Sequence, residues 1–181
     1  MIRVGFVGAV SKEWMGGFNY FNNLLYALSA HLEKELEVFV FVGKQTDKEI
    51  KFMFKKHATV VEDSVFDRKS LKWFLHKIEQ KFLKTNYILQ SVLIKYDIRV
   101  LSHASIVDLK SIKTINWIPD FQHLHLPQMF SVKELESRDN NFKNLIIKSD
   151  KIVLSSYDAL NDFKTFAPEY LNKAEVLQFV S

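Results

Sequence analysis

The chain has 181 residues, a formal net charge of +4 and no cysteine. The absence of cysteine excludes a disulfide framework and a thiolate zinc site, and a charge this mild argues against a nucleic-acid partner. With 48% hydrophobic residues, the chain is long enough to form a single globular domain over residues 1–181.

Four of the five glycines lie in the first seventeen residues. They surround a β-rich apolar run at residues 2–8, and Gly16 and Gly17 lead into an amphipathic helical pattern over residues 17–34. A strand, a glycine-bearing loop and a helix N-terminus present unpaired backbone N–H groups, which suit an anion such as phosphate. The alternative is a plain connection whose glycines only relieve backbone strain.

Beyond the first helix, strand-like and helical patterns continue to alternate. This alternation predicts an α/β fold with a doubly wound, mostly parallel, Rossmann-like sheet covered by helices on both faces. The further predicted strands lie at residues 36–42, 58–61, 98–103, 113–118, 151–155 and 175–180, and the further predicted helices at 46–57, 67–96, 131–149 and 156–166.

Ligands bind such sheets beyond the carboxyl ends of the strands. Four segments that are distant in sequence are therefore expected to gather at this edge. They are the Gly16-Gly17 loop, the turn after His103, the loop at 119–130 and the junction at Ser155.

Residues 68–84 form a basic amphipathic pattern. Such a helix either lies on an anionic membrane, or covers the sheet in the ordinary way with a basic rim. Trp73 falls on the lysine side of the helix. The apolar stripe consists of Leu71, Phe74, Leu75, Ile78 and Phe82, and the basic residues are Arg68, Lys69, Lys72, Lys77, Lys81 and Lys84.

The loop at residues 117–127 follows a predicted strand and concentrates Asp, Gln and two histidines. In this loop, in residues 14–20, in Arg138-Asp139 and in Ser155-Ser156, the chain resembles the N-terminal half of GT-B glycosyltransferases of the retaining group 1 class. The resemblance implies two Rossmann-like domains facing a cleft. This chain would be the acceptor-side domain, and the C-terminal domain that binds the sugar nucleotide would be absent from it. The chain stops just after a strand-like run, which also leads us to interpret it as one half of a larger protein.

The resemblance further implies a function. A sugar would pass from a nucleotide-diphosphate sugar to a glycan or lipid-linked acceptor, with retention at the anomeric carbon, and the isolated chain would have little or no activity. Such enzymes build polysaccharides in the cytoplasm, and segment 68–84 would add a peripheral contact with the inner face of the membrane. We expect no cofactor, no metal and no nucleic-acid partner.

Candidate site residues follow from the same resemblance. Asp120 matches the aspartate of the family's His-Asp pair after the fifth strand, where Pro119 stands in place of the histidine. His123 is the candidate to take over that histidine's contact with the sugar, which makes Asp120 and His123 the candidate catalytic residues. The candidate substrate-binding residues are Gly16, Gly17, Asn19, His103 and Ser155.

Simpler interpretations accompany these assignments. Asp139 would form a surface pair with Arg138, Ser155 or Ser156 would be a helix N-cap, and His76 on a helical pattern would be solvated. A metal site at His123 and His125, if that segment is extended, lacks evident further ligands.

Two other functions stay open. A stand-alone module binding a nucleotide or flavin would need a complete phosphate loop and an acidic ribose contact after the second strand, and Gly43-Lys44-Gln45 offers neither clearly. The second open function is that of a non-catalytic interaction domain, which kept the fold and lost the chemistry.

Overall fold

The computed structural model describes residues 1–8, 15–106 and 108–178, and the backbone alone of Met15. Every strand pairing described for these residues is parallel. The strands are β1 Ile2–Val7, β2 Leu36–Val42, β3 Thr59–Glu62, β4 Val100–Ser102, β5 Lys113–Ile118, β6 Lys151–Leu154 and β7 Ala174–Val176.

Helices alternate with these strands as the sequence predicts. No helix in the described ranges is long and apolar enough to cross a membrane. The helices are α1 Met15–His31, α2 Lys48–Lys55, α3 Leu71–Ile78, α4 Tyr87–Lys95, α5 Gln122–His125, α6 Val132–Lys148 and α7 Tyr157–Phe166.

The strand order is β3-β2-β1-β4-β5-β6-β7. The chain builds outward from β1 to β3 and then returns to add β4 on the other side of β1, where Val4 is in register with both Val38 and Val100. This reversal is typical of doubly wound sheets, which bind ligands beyond the carboxyl ends of the two strands at the reversal, here β1 and β4. The predicted α/β, Rossmann-like fold is confirmed.

The chain forms two compact units. The first is built from residues 1–8, 15–102 and 109–113, and the second from residues 103–106, 108 and 114–178. In the first unit the last five residues of β2 are all buried. A run of apolar residues without alternation is what a strand covered on both faces requires.

The core of the second unit lies under α5, α6 and α7. Ile118 ends β5 and Phe121 directly precedes α5, and both are buried in this core. The other buried members of this core are Leu145, Ile146, Ile152, Leu154, Ala159, Phe163 and Ala167.

The single helix predicted over residues 67–96 is wrong. The segment contains α3, then a π-helical turn at Glu79–Leu83, then α4. Lys84 adopts a left-handed backbone conformation with φ 51°, which ends the first helical stretch. The Glu79 carboxylate then accepts hydrogen bonds from the backbone N–H groups of Tyr87 and Ile88, so that it caps the start of α4.

The packing of α3 also differs from the sheet-covering interpretation. The predicted apolar stripe faces solvent, and the buried residue of α3 is His76, which is only 6% exposed. The prediction that His76 is solvated is therefore wrong. Burial lowers the pKa of His76, against the opposing influence of its neighbour Glu79.

Candidate functional site

In the first unit, Gly16 and Gly17 lie inside the first turn of α1 rather than in a loop before it. Residues 9–14, the rest of the predicted loop, are outside the described residues. Gly16 is exposed, and a Cβ atom built on it would meet no atom of the described residues within 4 Å. The first N–H groups of a helix have no partner within the helix. The start of α1 therefore combines backbone donors with open space, and exposed Asn19 follows in the same helix.

The backbone after β2 is already satisfied by the chain itself. The buried carboxylate of Asp67 accepts the N–H groups of Lys44 at 2.8 Å and Gln45 at 2.9 Å. A Cβ atom on Gly43 would lie 2.1 Å from the nearer Asp67 oxygen, so this position requires glycine. The backbone donors of Lys44 and Gln45 are therefore used within the chain.

In the second unit, three predicted regions come together around Trp117 of β5. The indole Nε1–H of Trp117 donates to Ser155 Oγ at 2.9 Å, and its ring lies 5.8 Å from the His103 ring. His103 has a left-handed backbone with φ 55°, a conformation that non-glycine residues adopt mainly in turns and at functional sites. The helix N-cap predicted at Ser155 or Ser156 is Ser156, whose hydroxyl accepts the Ala159 N–H.

Burial lowers the pKa of His103 to about 4. The imidazole is therefore neutral at pH 7, and it can exchange hydrogen bonds with a ligand without bringing a charge. Asn116, fully buried on β5, donates through Nδ2 to the carbonyl of Ile106 at 2.9 Å. This bond anchors the loop that carries His103 to the sheet.

Asp120 lies just beyond the carboxyl end of β5 and is exposed. Its Oδ1 accepts the N–H of Gln122 at 3.0 Å, which fixes the carboxylate at the start of α5. Within the residues that the structure describes, Oδ2 has no hydrogen-bond partner. One oxygen is therefore positioned by the chain, and the other is available to a ligand hydroxyl.

His123 is buried in the second unit, with 2% of its surface exposed. Its Nε2 lies 3.0 Å from Asp139 Oδ1 on α6. The ring contacts Phe142 with a centroid distance of 5.3 Å, and it contacts Phe121 and Phe166 at 6.3 Å each. Direct contact with a bound sugar would require the ring to leave this aromatic cluster.

His125 forms a second histidine–aspartate pair at the other end of α5. Its Nε2 lies 2.7 Å from Asp162 Oδ1 on α7, and its side chain is 63% exposed. Because residues 122–125 are helical rather than extended, the two histidines turn toward different helices. In the described part of the chain, no three His, Cys, Asp or Glu side chains are grouped so as to hold a metal ion.

The two histidine pairs are expected to differ in their effect on stability. His123→Ala opens a cavity among three phenylalanines and removes the Asp139 bond, so we expect the free energy of unfolding to fall by about 2–3 kcal/mol. His125→Ala is the matched control, because it removes an exposed pair of the kind that contributes little. Urea unfolding of both variants measures the difference. Equal losses would show that burial of His123 is not what stabilises α5.

The Asp139 partnership was missed at the sequence level. The sequence suggested a surface pair with Arg138, but Arg138 stacks on the Phe130 ring at 4.6 Å and Asp139 turns inward to His123. A signal was available, since Asp139 shares one helical face with Leu135, Phe142 and Ile146. A carboxylate on an apolar face indicates a polar partner across the packing.

No family model and no curated protein sequence matches the chain. Among solved structures, the crystal structure of Arabidopsis thaliana UGT89C1 complexed with UDP has a similar fold, with a TM-score of 0.54 and 13% sequence identity. The similarity covers 100% of this chain and 50% of that one, so the chain spans half the length of that protein. At this identity the likeness establishes the fold alone, which is a Rossmann-like α/β fold.

Proposed function

We propose that this chain is the acceptor-binding domain of a retaining glycosyltransferase that uses a nucleotide-diphosphate sugar. The acceptor is a glycan or a lipid-linked glycan, and the protein acts in the cytoplasm, at the inner face of the membrane, in polysaccharide biosynthesis. Turnover would require a second domain that holds most of the sugar nucleotide. The isolated chain would have little or no activity.

One observation carries this proposal. The whole chain matches half of a glycosyltransferase whose structure contains UDP. In a two-domain transferase the second domain holds most of the sugar nucleotide. The Rossmann-like unit described here then does not need the backbone donors after β2, which Asp67 already uses. The same bonds weigh against a stand-alone module with a nucleotide at that position.

At the donor side, the proposal assigns the diphosphate to the first turn of α1. Backbone N–H groups and the helix dipole stabilise negative charge, and charge grows on the diphosphate as it departs. Gly16 permits close approach because nothing in the described structure lies within 4 Å of the position of its missing Cβ. Buried Gly17 and exposed Asn19, in the same helix, are assigned to the same diphosphate contact.

At the acceptor side, the free oxygen of Asp120 orients the acceptor hydroxyl. His103 and Ser155 line the site with a neutral imidazole and a hydroxyl. His123 supports Asp120 by fixing the short helix that follows it, through the bond to Asp139. This positioning role replaces the direct sugar contact expected of His123.

In the proposed reaction, the bond between the anomeric carbon and the leaving phosphate oxygen breaks. The acceptor oxygen then bonds to the same face of the anomeric carbon, and its proton passes to the leaving phosphate. Asp120 is not required as a general base in this scheme, since the phosphate accepts the proton. The chain's own contribution is orientation and stabilisation of charge.

The substitution Gly16→Ala is expected to weaken phosphate binding without lowering the stability of the protein. The added methyl group meets open space within a helix, so the free energy of unfolding should stay the same or rise slightly. The same methyl group would obstruct a phosphate at the α1 N-terminus, so KM for the nucleotide sugar should rise at least about tenfold in the full-length protein. Ser29→Ala, near the other end of α1, is the control. An unchanged KM in Gly16→Ala would refute phosphate binding at this position.

A further inference from the structure

The first unit exposes an unusually large apolar surface along α3 and the π-helical turn that follows it. We refer to Leu71, Phe74, Leu75, Ile78, Phe82 and Leu83 as the apolar face. These side chains are between 39% and 75% exposed. Helical spacing of three and four residues brings most of them to one side of the segment. Contiguous apolar surface of this kind marks a site of interaction with a protein or a membrane.

Buried polar groups hold the segment in this orientation. Glu79 is 6% exposed and accepts hydrogen bonds from Thr85 Oγ1 at 2.8 Å and the Ile88 N–H at 3.0 Å, as well as from the Tyr87 N–H. His76 lies beside it, with Nδ1 3.6 Å from Glu79 Oε2. Turning the apolar face inward would break these bonds and bring a carboxylate to the surface. Exposure of the apolar face is therefore a consequence of how the segment is anchored.

Positive charge surrounds the apolar face. Segment 68–84 contains six basic residues and a single acid, Glu79, which faces the interior. Lys72 is paired with Asp63 at 2.7 Å, and the other five basic residues have no ion pair among the described residues. The Lys81 ammonium lies 5.5 Å from the centre of the Phe82 ring, so charge and apolar surface are directly adjacent. The five are Arg68, Lys69, Lys77, Lys81 and Lys84.

This charge distribution indicates which kind of partner binds the apolar face. A second copy of the chain would bring two sets of unpaired cations face to face, and like charges in contact oppose association. A membrane leaflet with anionic lipids offers hydrocarbon for the apolar face and negative headgroups for the basic rim. We propose that segment 68–84 is an interfacial surface that binds anionic membranes, with the apolar face inserted at the level of the headgroups.

The proposal rests on the membrane location included in the proposed function, but membrane binding can be measured without turnover, so the transferase assignment and the membrane surface can fail separately. The experiment is co-sedimentation of the full chain with phosphatidylcholine vesicles, with and without phosphatidylglycerol, at low and high ionic strength. We expect binding to the mixed vesicles that weakens at high salt, and much weaker binding to pure phosphatidylcholine. Absence of binding to anionic vesicles at low salt would overturn the proposal.

Two double variants identify the surface. Phe74→Ser/Phe82→Ser removes apolar area from exposed positions and should weaken vesicle binding at least about tenfold. Lys81→Glu/Lys84→Glu should do the same through charge. Phe52→Ser is the matched control, because Phe52 is 65% exposed and carries Lys56 over its ring at 5.3 Å, but it lies on α2.

Two further results would overturn the assignment of the apolar face to membrane binding. Equal weakening by Phe52→Ser and by Phe74→Ser/Phe82→Ser would show that binding does not use the apolar face. Sedimentation equilibrium on the free protein tests the second-copy alternative. A dimer that Phe74→Ser/Phe82→Ser dissociates, together with no vesicle binding, would assign the apolar face to self-association instead.

Discussion

Asp120→Asn should lower the rate of sugar transfer by the full-length protein about a hundredfold, the loss expected when a reacting group is no longer correctly oriented. Asparagine keeps the oxygen that accepts the Gln122 N–H, so the loop and α5 should stay in place. What changes is the second oxygen, which becomes an amide group without charge. The loss should therefore appear mainly in kcat, with little change in KM for the donor.

Steady-state kinetics with matched stability measurements tests this prediction. Asp97→Asn is the control, because Asp97 is an exposed carboxylate just before the amino end of β4, whereas Asp120 follows the carboxyl end of β5. It should leave both activity and stability close to those of the unmodified protein. An Asp120→Asn enzyme with normal turnover would remove Asp120 from the site.

Glu79→Gln should lower the free energy of unfolding by about 2–3 kcal/mol, because it replaces a charged acceptor of several hydrogen bonds in a buried position. The glutamine side chain has one carbonyl oxygen that can accept a hydrogen bond, and its NH2 group is a donor. One N–H group at the start of α4 would then face this NH2 group instead of an acceptor. Urea unfolding measures the loss. Glu175→Gln, which removes an exposed partner of Lys151, is the control and should have little effect.

The same substitution should change the dependence of stability on pH. Burial opposes ionisation of Glu79, but hydrogen bonds from Ile88, Thr85 and Tyr87, with His76 close by, outweigh it and hold the pKa below the ordinary value of 4.5. The unfolded chain then binds a proton more readily than the folded one. This contribution to stability is complete above about pH 4.5 and is lost as the pH falls through the lower folded pKa. Glu79→Gln should remove that part of the acid sensitivity, and an unchanged pH profile would contradict the assignment.

The strands could be predicted from the sequence because each is a short apolar run bounded by polar residues. The predicted runs at 36–42 and 113–118 coincide with β2 and β5. β2 is a continuous apolar run whose last five residues are buried, and β5 alternates between buried and more exposed positions. Both patterns are typical of strands and differ from the spacing of an amphipathic helix. The α/β order of the chain then determines the class of fold.

The region around α3 could not be predicted in the same way. A continuous apolar stripe from Leu71 to Phe82 favours one long, inward-facing helix. The structure instead buries His76 and Glu79, because a carboxylate that caps the next helix is stabilised by several hydrogen bonds within the protein. Periodicity reports where apolar residues lie, but it contains no information about such long-range polar contacts.

The candidate site shows the same limit. Position after a strand is enough to predict that His103, Asp120 and Ser155 lie at strand ends, and all three do. The burial of His123 depends on Asp139, sixteen residues away, and on a phenylalanine cluster contributed by the loop after β5 and by two helices. Contacts made by several elements at once cannot be read from one segment of sequence.

The most direct test of the central claim is a transfer assay on the full-length natural protein. The protein is incubated with a panel of nucleotide-diphosphate sugars and a glycolipid extract of its source cells, and product and released nucleotide diphosphate are measured together. The proposal predicts transfer from one donor, with one diphosphate released per sugar transferred and NMR showing the donor's anomeric configuration retained in the product. An inverted product would contradict the retaining mechanism. Folded protein that neither binds nor consumes any donor would contradict the glycosyltransferase assignment itself.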